Sequence, residues 1–191
     1  MRRSATPWLV LGVAAVTAAV WVANRAYREV RDWGAEPAEL VRDLPGDDLL
    51  PDAEFARTRA VNIDASSELV WRWLMRSGRP RGGWLRGRWL GQFDGYALTL
   101  ALIEPPRVLV LWQGGAGQPW DLTWAFMIID APGGWRRLVI RTRARAHPGL
   151  LGRIWLTAFR LLDPLTVAAT RRMLLDVKYE AEASRLDPLN G

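Results

Sequence analysis

Four consecutive apolar segments, separated by turns rich in proline and glycine, constrain the fold of this chain more than any other feature. They span residues 96–103, 108–112, 120–129 and 135–144. In the third segment large apolar side chains recur at every second position, which is the period of a β-strand. In the fourth, apolar residues alternate with arginines. Because the turns between the segments are short, we expect the four strands to pair antiparallel.

Other patterns flank this series of strands. Residues 57–64 alternate between polar and apolar side chains and predict a first strand, after which a pair of serines caps a short helix. Residues 150–184 predict a long C-terminal helix that Pro164 divides, with Asp163 suited to starting its second part. This order of elements predicts an α+β fold, in which an antiparallel sheet carries helices on one face.

The N-terminus carries an apolar segment of membrane-spanning character. Residues 7–23 hold no charge, and their number is near the lower limit of the about 17–25 residues that cross a bilayer. Arginines precede and follow the segment, and tryptophans lie near its two ends, where membrane interfaces favour them. We expect a retained transmembrane helix, with a cleaved signal peptide and a buried soluble helix as the alternatives. The predicted interface residues are Arg2, Arg3, Trp8, Trp21 and Arg25.

The arginines around this segment bear on its orientation and on the division of the chain. Two arginines precede it, whereas Arg25, Arg28 and Arg31 follow closely, which favours a cytoplasmic domain by the positive-inside rule. We therefore predict a single-pass protein of the cell membrane. Its parts are an anchor over residues 1–24, a juxtamembrane helix and acidic linker over residues 25–54, and one folded domain over residues 55–186.

The formal charge of +6 is unevenly distributed along the chain. Residues 136–160 contain seven arginines and no acid, which favours contact with an anionic surface such as phospholipid headgroups. A second basic stretch, residues 79–89, interleaves arginine with tryptophan. Such a stretch can bind single-stranded nucleic acid. A membrane anchor would hold this stretch close to lipid headgroups, so we expect the membrane as a partner and no nucleic acid.

The sequence shows no catalytic constellation. The chain has no cysteine, which excludes disulfides, thiol catalysis and thiolate metal sites. Its one histidine, His147, can neither form a zinc site without several converging carboxylates nor act as a general base without a positioned partner. Its ordinary interpretation is a surface loop residue. Because the motifs of a nucleophile elbow and a phosphate-binding loop are also missing, we expect no catalytic residue, no metal and no cofactor.

Several local stretches resemble one superfamily. They are Leu44-Pro45-Gly46-Asp47-Asp48, Ile63-Asp64-Ala65-Ser66-Ser67 with Val70-Trp71-Arg72-Trp73-Leu74, Gly82-Gly83-Trp84, and Arg137-Leu138-Val139-Ile140-Arg141-Thr142-Arg143. Together they resemble the START-like superfamily, also called the polyketide cyclase/dehydrase and lipid-transport (SRPBCC) group. Within it they resemble a bacterial branch that often carries N-terminal membrane segments. The resemblance covers residues 34–183, and the stretch 85–91 is shorter than the aromatic, acidic insertion of relatives.

The resemblance implies a helix-grip fold, in which the antiparallel sheet wraps on the long C-terminal helix and encloses a cavity. Apolar rings would line that cavity, and a few polar groups would orient a ligand. The ligand-binding candidates on this basis are Tyr96, Trp112, Trp124, Phe126, Met173 and Val177, with Arg141 or Arg143 as the polar contact. A sheet face packed on a helix needs the same residues without any cavity, and this alternative stays open.

Three functions follow from the resemblance. The first is a membrane-anchored domain that binds a hydrophobic small molecule or lipid without catalysis. The second is an enzyme of the cyclase or hydratase type that uses the same cavity, and the third is a packed structural or interaction domain with no ligand. A closed core would exclude the first two functions, whereas a cavity with a paired, water-accessible histidine or carboxylate would favour the enzyme.

Overall fold

A computed structural model of the chain defines one antiparallel sheet. It describes residues 30–77, 98–115 and 117–186, together with residues 12, 17, 18, 21, 22, 25 and 27 near the N-terminus. The strands are β1 (Phe55–Ile63), β2 (Thr99–Glu104), β3 (Val108–Gln113), β4 (Trp120–Asp130) and β5 (Arg136–Ala146). Their spatial order is β1-β5-β4-β3-β2, with every neighbouring pair antiparallel. The predicted antiparallel sheet is confirmed.

The helices are α1 (Pro37–Val41), α2 (Ser67–Ser77) and α3 (Leu150–Leu186). Because α3 is one continuous helix of 37 residues, the expected division at Pro164 is wrong. A proline inside a helix removes one backbone hydrogen bond and crowds the preceding turn. Here the ring of Pro164 is exposed, and the neighbouring Asp163 is held by buried partners, so the helix continues through this position.

The sheet is covered on both of its faces. The face toward α2 and α3, called the helix face, carries a buried core that includes Ile63, Phe126, Ile128, Leu138 and Ile140. The opposite face, called the outer face, carries a second buried cluster of Ala60, Val108, Val110, Ala125, Met127 and Val139. Leu44 completes the second cluster, because the segment that precedes β1 folds over the outer face. The expectation of cover on one face alone is therefore corrected.

Arginines of β5 bind this covering segment. Arg137 donates from Nε to Glu39 Oε1 over 2.5 Å and from Nη2 to Glu39 Oε2 over 2.8 Å. Arg141 forms an ion pair with Asp47 and donates from Nε to Thr58 Oγ1 over 3.0 Å. Bidentate and charge-assisted hydrogen bonds of this kind are the strong ones in proteins. The acids expected in a linker thus pack on the sheet and offset the charge of its arginines.

A buried carboxylate joins β1 to the middle of α3. The Asp163 side chain is 0% exposed and accepts hydrogen bonds from Arg57 Nε over 2.6 Å and from Arg59 Nη2 over 2.9 Å. Thr166 Oγ1 donates to the same carboxylate over 2.8 Å, and the Tyr27 hydroxyl donates to Asp163 Oδ2. Three parts of the chain, including the end of the N-terminal segment, therefore meet at one charge.

The N-terminal segment is described only in part. Its described residues are helical, and Trp21 and Val22 expose most of their surface. Within the described part of the chain, no helix has both the length and the apolar character that crossing a membrane requires. Most of the predicted anchor, with Arg2, Arg3 and Trp8, lies outside the described residues, whereas Trp21 and Arg25 lie within them and are exposed.

The pKa values of Asp163 and Glu39 predict that acid destabilises the fold. Burial alone raises the pKa of each carboxyl, but hydrogen bonds from their partners outweigh burial and hold both pKa values below the ordinary range. Such a group contributes stability above its ordinary pKa and loses that contribution as the pH falls through its folded value. We expect the free energy of unfolding, measured by urea titration, to decline from about pH 5 downward.

The variant Asp163→Asn tests the contribution of Asp163. It removes the charge at nearly constant shape and leaves buried Arg59 and partly buried Arg57 without their carboxylate. We expect the free energy of unfolding to fall by about 3–5 kcal/mol at neutral pH. Asp176→Asn, which changes an exposed carboxylate on the same helix, is the control and should stay within about 0.5 kcal/mol of the parent. Equal stability of the two variants would contradict the role of Asp163.

Candidate functional site

The candidate site lies at the corner where β5 ends and α3 begins. The connection is His147-Pro148-Gly149, and the His147 N–H donates to the carbonyl oxygen of Pro119 over 2.9 Å. A Cβ on Gly152 would lie 2.1 Å from the carbonyl oxygen of His147, so only glycine lets the first turn of α3 approach the corner this closely. The corner is therefore fixed both to the start of β4 and to α3.

An open cleft of about 500 Å³ lies at this corner. Its lining combines apolar side chains with charges of both signs, and the principal lining residues are Glu54, His147, Leu150, Arg153 and Leu156. Small-molecule sites are concave regions of this size, with apolar surfaces and a few placed polar groups. The cleft is therefore suited to a small ligand that has one apolar and one polar part.

His147 is paired with a buried carboxylate at the edge of the cleft. Its Nε2 lies 2.9 Å from Asp121 Oδ2, and the two side chains are 33% and 5% exposed. Asp121 also accepts hydrogen bonds from Arg145 Nη2 over 2.6 Å and from the Gly115 N–H over 3.2 Å. When Nε2 carries the proton donated to this carboxylate, Nδ1 is the ring nitrogen left to accept a proton from a molecule in the cleft.

The surroundings of Asp121 keep it ionised. Burial alone raises the pKa of Asp121, but hydrogen bonds from Arg145, His147 and the Gly115 N–H outweigh burial and lower it below the ordinary value. A Cβ on Gly114 would lie 2.2 Å from Asp121 Oδ1, so the turn before β4 requires glycine at that position. An ionised carboxylate in this position orients the imidazole.

A row of aromatic rings continues from the cleft between the helix face and the first half of α3. The rings of Trp120 and Trp155 stack with centroids 4.4 Å apart, and those of Trp155 and Phe159 stack at 4.8 Å. Phe55 meets Phe159 edge-on at 4.8 Å. Leu156 belongs both to the lining of the cleft and to this cluster. The cleft therefore borders an aromatic surface of the kind that packs against planar apolar molecules.

Four of the cavity candidates lie between the helix face and α3, as the resemblance implies. Phe126, Met173 and Val177 are buried in one apolar core. Trp124 is partly buried, contacts both this core and the aromatic row, and has its ring centroid 5.0 Å from that of Phe126. These side chains pack against protein atoms, and the open cleft is lined by other residues.

The remaining candidates lie elsewhere. Arg141 and Arg143 alternate with the core residues of β5, so they lie on the outer face, where both pair with Asp47. Trp112 pairs in register with Thr123, next to Arg143 in the sheet, and belongs to the same outer face. The expectation that these three contact a ligand beside α3 is corrected by the alternation of the strands. Tyr96 lies outside the described residues.

The sequence interpretation of His147 as a surface loop residue missed its buried partner. Asp121 and His147 are 26 positions apart, and the antiparallel pairing of β4 with β5 brings them together by setting Asp121 opposite Arg145. The available signal was an acid at the start of a mostly apolar strand, directly after Trp120. A charge at such a position indicates a partner on a neighbouring strand.

Comparison with known proteins finds no matching family model and no matching curated protein. Among solved structures, the di-domain aromatase/cyclase of the steffimycin biosynthetic pathway superposes with a TM-score of 0.48 at 13% identity. The match covers 73% of this chain and 54% of that one. A conserved protein from Geobacillus kaustophilus gives a TM-score of 0.45 at 15% identity, covering 68% of this chain and 97% of that one.

A polyketide cyclase-like protein from Corynebacterium glutamicum has a TM-score of 0.45 at 12% identity, covering 70% of this chain and 94% of that one. These identities and TM-scores are too low to bear on activity or ligand.

Proposed function

We propose that this chain is a binding domain for a hydrophobic small molecule, aromatic or lipid-like, that carries an acidic or hydrogen-bonding group. The observation that carries the proposal is the position of His147, which is oriented by buried Asp121 at the edge of a cleft of about 500 Å³. Ligand sites combine an apolar lining with a few fixed polar groups, and this corner supplies both.

The lining of the cleft offers contacts for both parts of such a ligand. Leu150 and Leu156 offer apolar contact, and Leu156 also packs in the cluster that contains the aromatic row. Arg153 lines the cleft together with His147, and its guanidinium matches a carboxylate or phenolate better than a neutral group. The Oε1 atom of Glu54 accepts a hydrogen bond from the Ala146 N–H over 3.0 Å, which holds this carboxylate against the end of β5.

The fluorinated aromatic acid 6-fluoro-2-naphthoate is a suitable probe for this site. We expect its fluorine NMR signal to broaden on addition of the full chain, with empty detergent micelles as the blank. Arg153→Gln removes the expected charge-assisted contact and should weaken binding by about 10- to 100-fold, since such contacts contribute about 1.5–3 kcal/mol. Arg172→Gln, an exposed change on the same helix, is the control. Equal binding by both variants, or no binding by the parent, would contradict the proposal.

A second candidate function is proton transfer to or from the bound molecule, as in a cyclase or hydratase. The Asp121–His147 pair favours it, because a histidine oriented by an ionised carboxylate is a common general base. An enzyme needs such an oriented base beside its substrate, whereas a protein that only carries the molecule does not.

Deuterium exchange at the acidic carbon of 2-tetralone, followed by proton NMR, tests this chemistry with a hydrophobic ketone. An active base should accelerate exchange by about 10²–10⁴-fold over buffer, and His147→Gln should remove most of that acceleration. Asp121→Asn should lower the rate while the protein stays folded by circular dichroism, and Asp176→Asn should leave it unchanged. Exchange at the buffer rate with the parent chain would restrict the function to binding.

The proposal also includes the membrane anchor that residues 7–23 predict. An anchored domain presents its ligand locally at the bilayer, where hydrophobic molecules accumulate, instead of carrying it between membranes. Retention of the full chain in membranes washed with alkaline carbonate is the expected result, and its release into the supernatant would contradict the anchor.

A further inference from the structure

We propose that the first half of α3 docks on the surface of a bilayer that contains anionic lipid. The contact surface, called the apolar stripe, consists of Leu150, Leu151, Ile154, Leu161, Leu162 and Leu165. Each of these side chains exposes between 44% and 75% of its surface. Soluble proteins rarely leave so many neighbouring large apolar side chains in water, and such patches mark interaction surfaces.

The stripe is one continuous face of the helix. With a rotation of about 100° per residue, its six side chains fall within an arc of about 120°. Leu156 and Val167, which lie between and beyond them in sequence, point to the other side and are buried. This half of the helix thus has two apolar faces. One is buried in the protein core, and the other is exposed.

The charges beside the stripe favour an anionic lipid surface. Exposed Arg153 and Arg160 lie on this half of α3, and the sequence contains no acid between Asp130 and Asp163. The second half of α3 differs, because its exposed positions mix bases with acids such as Asp176 and Glu180. Arginines beside an exposed apolar face are typical of helices that lie in the membrane interface, where their guanidinium groups reach lipid phosphates.

The position of the stripe agrees with the course of the chain. The hydrogen bond from the Tyr27 hydroxyl to Asp163 brings the residues that follow the apolar N-terminal segment to the same level of α3 as the stripe, on the buried side of the helix. Trp21 and Val22 expose 64% and 58% of their surface, and the stripe residues remain exposed beside this segment. An anchor that ends at this point would hold the stripe close to the same bilayer.

A second copy of the chain fits the stripe less well. A symmetric pair of these helices would bring the arginines of both copies to one interface, because an isologous contact repeats the same surface on both sides. The neighbouring sequence, residues 131–162, supplies no acid to offset them. Lipid phosphates supply that negative charge, so the bilayer is the occupant that the charges favour.

Spin labels on single cysteines test the proposal in the full chain, because the sequence has no cysteine of its own. Leu161→Cys and Leu165→Cys place labels on the stripe, and Tyr179→Cys places one at an exposed position of the second half of α3. Trp21→Cys reports separately on the anchor. The chain is reconstituted in vesicles of phosphatidylcholine with one quarter phosphatidylglycerol, and collision with oxygen is compared with collision with a water-soluble nickel chelate.

We expect the oxygen-to-nickel collision ratio at positions 161 and 165 to exceed that at position 179 several-fold. Replacing both Arg153 and Arg160 with glutamine should reduce this difference without changing the ratio at position 21. Ratios at the stripe equal to the ratio at position 179 would overturn the proposal, even if position 21 is immersed. Strong spin–spin coupling between labels at position 161 of two chains would also overturn it, in favour of a dimer. Failure of naphthoate binding would leave these ratios unchanged, so the two proposals are tested separately.

Discussion

The buried charge of Asp163 is the interaction on which the arrangement of this molecule depends. One carboxylate accepts hydrogen bonds from Arg57 and Arg59 of β1 and from the Tyr27 hydroxyl, which fixes the edge of the sheet, the long helix and the end of the N-terminal segment together. A buried ion costs several kcal/mol to desolvate and is tolerated only when it is fully paired. The cluster therefore fixes the position of α3 on the sheet, and it does so beside Pro164, where a helix is otherwise weakest.

Asp163 also divides α3 into two halves with different roles. The second half contributes Met173, Leu174 and Val177 to the main core and exposes a mixed-charge surface. The first half faces the aromatic row and borders the cleft with its opening turn, and its other side carries the exposed apolar stripe. The cleft and the exposed apolar stripe lie on the same few turns of helix, which is the arrangement expected of the proposed domain that takes up a hydrophobic molecule at a membrane surface.

Much of the fold could be predicted from the sequence, because alternation in β4 and β5 reports which side chains are buried. The cover on the outer face could not, since Leu44 and Asp47 lie in a segment without periodicity, where acids beside turns are ordinarily solvated. Arg141, the partner of Asp47, lies on the face opposite to the predicted cavity. The pairing of His147 with Asp121 depends on the register of β4 against β5, and that register leaves no local pattern in the sequence. The order of the elements was therefore predictable, whereas the site was not.

The contact between the His147 ring and a ligand is best measured by nitrogen NMR of the full chain labelled at histidine. The chain has one histidine, so each ring nitrogen gives one signal that needs no assignment by mutation. The neutral ring should carry its proton on Nε2, toward Asp121. Added 6-fluoro-2-naphthol, whose hydroxyl donates a hydrogen bond to an acceptor nitrogen, should shift the Nδ1 signal while leaving Nε2 nearly in place. An Nδ1 signal that stays unmoved at saturating naphthol, or a ring that carries its proton on either nitrogen equally, would contradict the proposed site.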